Sequence, residues 1–518
     1  MRKIITVVMC ILLQNIPGWA QSVAVESVDN TVQVNNETLI IPLIKEADEN
    51  IALYLVITPR SAANLNGIRF QLDAKAVRDI AVLHIFTTDT VPGFVKAKLL
   101  KAVKPSRKKP WVSLSQTLTP SVKNHFWISV VLKKTANIDD QITVKASQIL
   151  VTGGKRIPVE SRAGTPAKRL GLVLRKAGQD SVNTYRIPGI TVTDKGTLIA
   201  VYDIRHNSSR DLPGNIDIGM SRSTNAGHSW QPMQTIIDMG KPDAENGVGD
   251  PCILFDPITR KIWVAALWSK GNHAIAGSRP GLSPDESGQL VLTSSSDDGQ
   301  TWSDPVNITA QVKNPAWRIL FQGPGSGITT GDGTLVFPAQ YWDAAGIPYA
   351  TIIYSKDHGQ TWKTGTGAKS NTTESQVVEI APGSLMLNMR DNRGAFRSIA
   401  VTNDWGKTWI EHPSSRKALA DPVCEAAFIG IQVNGNPEPV LLFSNPDSPK
   451  KRDSMTIKAS LDAGYSWPLN QQLLVDARNG FGYSSLVRID EKYIGILYEG
   501  VRDLYFLRIP LSDILRTQ

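Results

Sequence analysis

Apolar and polar positions over residues 171–518 alternate in short, strand-length runs, and a helical period is nearly absent. The first repeat holds YRIPGITVT (185–193), GTLIAVYDIR (196–205) and IDIGMSRST (216–224). Its second member returns as KIWVAALWSK (261–270), GTLVFPAQYW (333–342), GSLMLNMR (383–390), PVLLFSNP (439–446) and YIGILYEG (493–500). A turn of one composition follows the third run: STNAGHSW (223–230), SSDDGQTW (295–302), SKDHGQTW (355–362), TNDWGKTW (402–409) and SLDAGYSW (460–467). Its acidic or amide residue accepts backbone N–H bonds, its glycine supplies a positive φ, and its tryptophan packs back onto the sheet. Intervals of 72, 60, 47 and 58 residues mean one supersecondary unit with loops of varying length. Strand-built repeats of this size predict a propeller. Six second strands predict six blades. The sixth lacks the turn, and GLVLRK (171–176) is expected to close the ring against LYFLRIPL (504–511).

Residues 22–165 alternate in the same way, as in IALYLVIT (51–58), IRFQLDA (68–74) and HFWISVVLKK (125–134), which predicts a β-sandwich-like domain. SRAGTPAKR (161–169) reads as the linker. The chain is thus expected to be all-β, a six-bladed β-propeller over 171–518 preceded by the sandwich. Residues 1–20 have the form of a cleaved signal peptide: Arg2 and Lys3, an apolar run over 4–13, and small Gly18 and Ala20 before Gln21. No later stretch is apolar and long enough to span a bilayer. Secretion or a periplasmic location is expected, without stable membrane insertion. Cys252 and Cys424 remain after the leader, both in strand-like segments where a buried thiol is the usual state; a disulfide is left open. No Cys/His cluster marks a metal site. The formal charge of +9 is uneven, with 21 Lys and Arg against 12 Asp and Glu in residues 21–170. A solvated lysine-rich face explains the dense run at 96–110 better than nucleic-acid binding does.

Topology locates the chemistry. In an antiparallel blade the start of strand one and the end of strand two share a rim, and the turn between strands three and four lies at the opposite one. Reading only the first rim yields Arg186 (YRIP), Arg205 and, in the following loop, Asp211. It also yields Asp250 opening blade two, Glu374 opening blade four, Arg390, Arg452 after FSNP, and Tyr483 opening blade six. An arginine ending an apolar strand needs an anionic partner. Glu379 competes with Glu374 but falls at the strand's far end. Trp268, Gln340 and Trp342 also end second strands, where pocket shaping and blade packing are both open. An RIP tripeptide or a lone strand-start tyrosine is ordinarily structural, and so are the repeated turns; the joint placement on one rim is what carries weight.

In that order and spacing the chain resembles the retaining exo-sialidases of bacteria and animals, in which an Arg-Ile-Pro motif precedes several Asp boxes. The resemblance covers about 171–515; the N-terminal domain is similar in kind to the accessory, sometimes carbohydrate-binding, modules of such enzymes. It implies that Arg186, Arg390 and Arg452 grip the substrate carboxylate, and that Tyr483 is the nucleophile, Glu374 its base and Asp211 the acid/base. Arg205 and Asp250 would line the pocket, Asp250 near the N-acyl group. The implied partners are sialylated glycans, glycoproteins or glycolipids, with no cofactor, no metal and no nucleic acid, and a monomer is expected. Transfer or intramolecular rearrangement on the same scaffold is the alternative reaction, and a non-catalytic sialic-acid lectin the alternative of another class.

Overall fold

The computed structural model describes residues 24–25, 32–37, 39–47, 50–94, 96–159, 166–240, 246–271, 273–433, 435–436 and 438–516; the leader falls outside them. Among these residues the second part of the chain forms six antiparallel blades. The first runs Thr184–Val192, Leu198–Arg205, Ile216–Ser223 and Gln234–Ile237. Arg205, ending strand two, pairs with Thr184 and Ile216, whereas Ser223, opening the Asp box, pairs with Leu198. The Asp boxes therefore occupy the rim opposite Arg186 and Arg205. In each box two successive residues have positive φ, the glycine and the one before it, as in Asp298 and Gly299. The glycine also lets blades approach: a Cβ on Gly227 would meet Phe506 at 2.3 Å, and one on Gly359 would meet Trp263 at 2.4 Å.

The ring closes as the sequence predicts, by Lys168–Arg175 pairing antiparallel to Leu504–Pro510 as the outer strand of blade six. This strand starts inside the stretch read as linker. Lys168 and Arg169 pair with Ile142 and Gln141, so the chain is already ordered strand there.

The described strands from Ala24 to Pro158 fold as a six-stranded and a four-stranded sheet over one core that includes Leu55, Ile68, Phe126 and Ile149. One short helix, Ala74–Asp79, joins them. Two small strands leave this sandwich for the propeller. Leu43–Lys45 runs parallel and Gln141–Ile142 antiparallel to the outer strand of blade six. They cover a sheet edge that would otherwise expose its N–H and C=O groups. Ile44 and Ile138 bury themselves in propeller cores. The lysine-rich run provides Lys98–Val103, at the far end of the six-stranded sheet, with mostly exposed side chains. Among the described residues no helix is long and apolar enough to cross a membrane.

Candidate active site

The first strands bring Arg186, Asp250, Glu374 and Tyr483 to one rim, and the second strands add Arg205 and Arg390. Tyr483 donates its hydroxyl to Glu374 Oε1 at 2.5 Å. Arg390 Nη1 donates to the same phenol oxygen at 3.0 Å and also bonds Glu374 Oε2. Arg186 and Arg452 stand over the Tyr483 ring at 5.1 and 5.7 Å. Burial pushes the Tyr483 phenol well above its usual range; Glu374 adds to this, and Arg390 and Arg186 oppose it. The phenol therefore keeps its proton until a base removes it, and among the described residues the only carboxylate bonded to that hydroxyl is Glu374.

The arginines are held differently. Arg186 donates to both oxygens of Glu499, at 2.9 and 3.3 Å. Burial works against the charges of Arg186 and Arg390, but Glu499 and Glu374 outweigh it and hold both more firmly protonated than usual. Arg452 departs from the expected anionic pairing. It donates to the carbonyls of Phe481 and Val423, at 2.9 and 3.0 Å, and the loop backbone supplies the compensation. Glu379 accepts the amides of Gly331 and Gly383, at the other end of the strand from the phenol.

Arg205 is buried, and its donors are spent on Asp203 (3.1 and 2.8 Å), the Ser209 carbonyl (2.8 Å) and Asp211 (2.6 Å). It is thus placed to hold the Asp211 loop. Asp211 itself is 75% exposed and lies 3.6 Å from Arg186. Leu212 anchors that loop by packing against the buried cluster of Leu267, Ile319 and Phe321. Trp268 donates to Asn246 at 2.6 Å, and Gln340 is buried. Asp250 has φ +58° and gives its N–H to Asp203 at 2.9 Å. Burial raises both carboxyls: Asp203 is pushed up to about 6 against the pull of Arg205, and Asp250 well above its usual range with Asp203 adding to the push.

Sequence reasoning missed Glu499 and Asp203. Glu499 ends strand two of blade six, the place that singled out Arg205 and Arg390, so the same rule finds it. Asp203 shows as one acid inside a buried apolar strand. Ile187 has φ +57°, strained for a β-branched residue, and its N–H is held by Glu499 at 2.9 Å. Cys252 and Cys424 are free and buried.

A family profile described as a BNR repeat-like domain matches residues 196–496, and one described as the N-terminal domain of BNR-repeat neuraminidase matches residues 29–155. The chain is 41% identical to a sialidase of Bacteroides fragilis, over 92% of this chain and 94% of that one. It is 32% identical to a sialidase of Paraclostridium sordellii, over 61% of this chain and 81% of that one. Among solved structures it is similar to a Hadza microbial sialidase, with TM-score 0.85 and 38% identity over 93% of this chain and 100% of that one.

Proposed function

The chain belongs to the BNR-repeat neuraminidases and is an exo-α-sialidase, and we propose that it hydrolyses terminal sialic acids of glycoproteins, glycolipids and other glycans with retention of configuration. The supporting observation is the 2.5 Å bond from the Tyr483 phenol to Glu374, set among three guanidiniums. The substrate bears a carboxylate on its anomeric carbon, so a carboxylate nucleophile would meet like charge, and a neutral phenol avoids this. Arg186, Arg390 and Arg452 bind the substrate carboxylate and fix the ring for in-line attack.

In the first step Tyr483 Oη bonds to the anomeric carbon, and the bond from that carbon to the leaving oxygen breaks. The phenol proton passes to Glu374, and Asp211 gives a proton to the leaving oxygen. In the second step water attacks the same carbon from the vacated side. Asp211 takes a proton from that water, the bond to Tyr483 breaks, and Glu374 returns the proton to the phenol. Two inversions give net retention. Asp211 lies on an exposed loop, 2.6 Å from Arg205 and 3.6 Å from Arg186, and in this reading it meets the leaving oxygen there.

A 3-fluoro sialosyl fluoride should trap the covalent intermediate, and peptide mapping should find the label on Tyr483. A label on Glu374 or Asp211 sinks the assignment. We also propose that residues 1–20 export the chain, so the first residue of the mature protein should be Gln21.

A further inference from the structure

Glu425 lies two residues ahead of the blade-five strand Ala427–Ile431, is 1% exposed, and has no part in the cycle above. Its Oε2 accepts the N–H of Ser484, the residue after the nucleophile, at 3.1 Å. Its Oε1 has no hydrogen-bond partner among the described residues. The amide of Tyr483 goes to Glu499 Oε2 at 3.0 Å. Two buried carboxyl groups therefore take the two successive amides that set how Tyr483 leaves its strand.

The two differ in their charge surroundings. Glu499 faces Arg186 through two bonds. Among the described residues Glu425 forms no ion pair. Arg397, the guanidinium that acts on it, is committed to Asn388 Oδ1, to the carbonyls of Asn388 and Cys424, and to Asp421 at 3.7 Å. Other ionisable groups facing Glu425 include the carboxylates Glu374 and Glu499 and the thiols Cys252 and Cys424. A buried carboxylate without a cation is costly and neutralises instead.

We propose that Glu425 is a positioning residue for the nucleophile, an uncharged carboxylic acid that fixes the Tyr483–Ser484 backbone and places no negative charge beneath the substrate carboxylate. The proposal rests on Tyr483 being the nucleophile. Burial pushes the Glu425 carboxyl well above its usual range; Glu374 and Glu499 add to the push, while the Ser484 amide and Arg397 oppose it. Its neutrality leaves Glu374 to take the phenol proton. Its bond to Ser484 holds the phenol in line, where a small displacement is expensive in rate.

Two variants test this. Glu425→Ala removes the acceptor for Ser484, and kcat should fall at least ~10-fold while a dehydrated sialic-acid analogue binds within ~3-fold of wild type. Glu425→Gln keeps the shape and an acceptor oxygen without charge. It should restore kcat to within ~3-fold and leave the acid limb of the kcat/KM–pH profile in place. At neutral pH the wild type should show the infrared carbonyl band of a protonated carboxylic acid that Glu425→Gln lacks. A shifted acid limb in Glu425→Gln, or no difference band, overturns the proposal, as does wild-type kcat in Glu425→Ala. Should Glu425→Ala fail to fold, the Gln profile and the band decide. Because the band does not depend on turnover, its absence counts against this proposal alone, whereas a fluorosialosyl label elsewhere than Tyr483 counts against the catalytic reading.

Discussion

Arg390 faces both the phenol of Tyr483 and the carboxylate of Glu374, so its removal should damage more than substrate grip. Arg390→Ala should worsen KM and kcat together, with at least ~100-fold lost in kcat/KM, about 3 kcal/mol; a variant within threefold of wild type would exclude Arg390 from the clamp. Tyr483→Phe deletes one oxygen and almost no volume. Turnover should fall below about a tenth of wild type, a loss above ~1.4 kcal/mol, while a non-hydrolysable analogue still binds. Much of this site was legible because the rim rule needs only strand order. Glu374 was separable from Glu379 by position along one strand, and the structure puts them at opposite ends. What charge pattern could not show is which donors are already spent. Arg205 reads as a pocket arginine, yet Asp203, Ser209 and Asp211 engage it, and Arg452 is satisfied by carbonyls that no side-chain motif records.

The Asp box is the element that repeats, and its hydrogen bonds make a pH-dependent contribution to the fold. Asp297 Oδ1 accepts the amides of Gln300 and Thr301, at 3.0 and 2.9 Å, and Asp404 Oδ1 accepts that of Thr408 at 2.9 Å. Burial pushes the Asp297 and Asp357 carboxyls up, but the hydrogen bonds outweigh it; at Asp404 the Thr408 bonds lead. All three are held at about 2, below the ordinary 3.8. A carboxyl depressed in the folded state stabilises above its unfolded value and loses that contribution as pH falls through the folded one. The propeller should therefore weaken between about pH 4 and 2. The first box already uses an amide, with Asn225 Oδ1 accepting Ser229 N at 3.0 Å. Changing Asp297, Asp357 and Asp404 together to Asn should thus flatten the fall of Tm across that range, and an unchanged slope in thermal melts would rule the boxes out as its source. The five boxes and six second strands were plain in sequence. Outer strands such as Lys363–Thr364 and Ile410–Glu411 were not, because two residues carry no period.

At the scale of the molecule the sandwich acts as the cover of blade six. Its two short strands, Leu43–Lys45 and Gln141–Ile142, hydrogen-bond to Lys168–Arg175. Arg508 ties Asp139 of the sandwich to blade six at 2.6 Å and also reaches the carbonyl of Ala226 in the first Asp box. The sandwich strands themselves alternate and could be read. Their docking could not, since segments of three and two residues give no pattern, and Leu43–Lys45 finds its partner only at residues 170–172. Among the described residues, the side chains of Arg186, Glu374, Arg390 and Tyr483 hydrogen-bond with residues beyond 165, so the cover should matter for stability and solubility more than for chemistry. A chain beginning at residue 166 keeps the closing strand but bares its outer edge and empties the places of Ile44 and Ile138. It should melt lower and self-associate, as an uncovered edge does. The fraction that stays folded and monomeric should cleave a small soluble sialoside with kcat/KM within ~3-fold of the full chain. A monomeric truncation with unchanged Tm would show that the cover contributes nothing to stability. A well-folded one that has lost activity would show instead that the sandwich reaches the site.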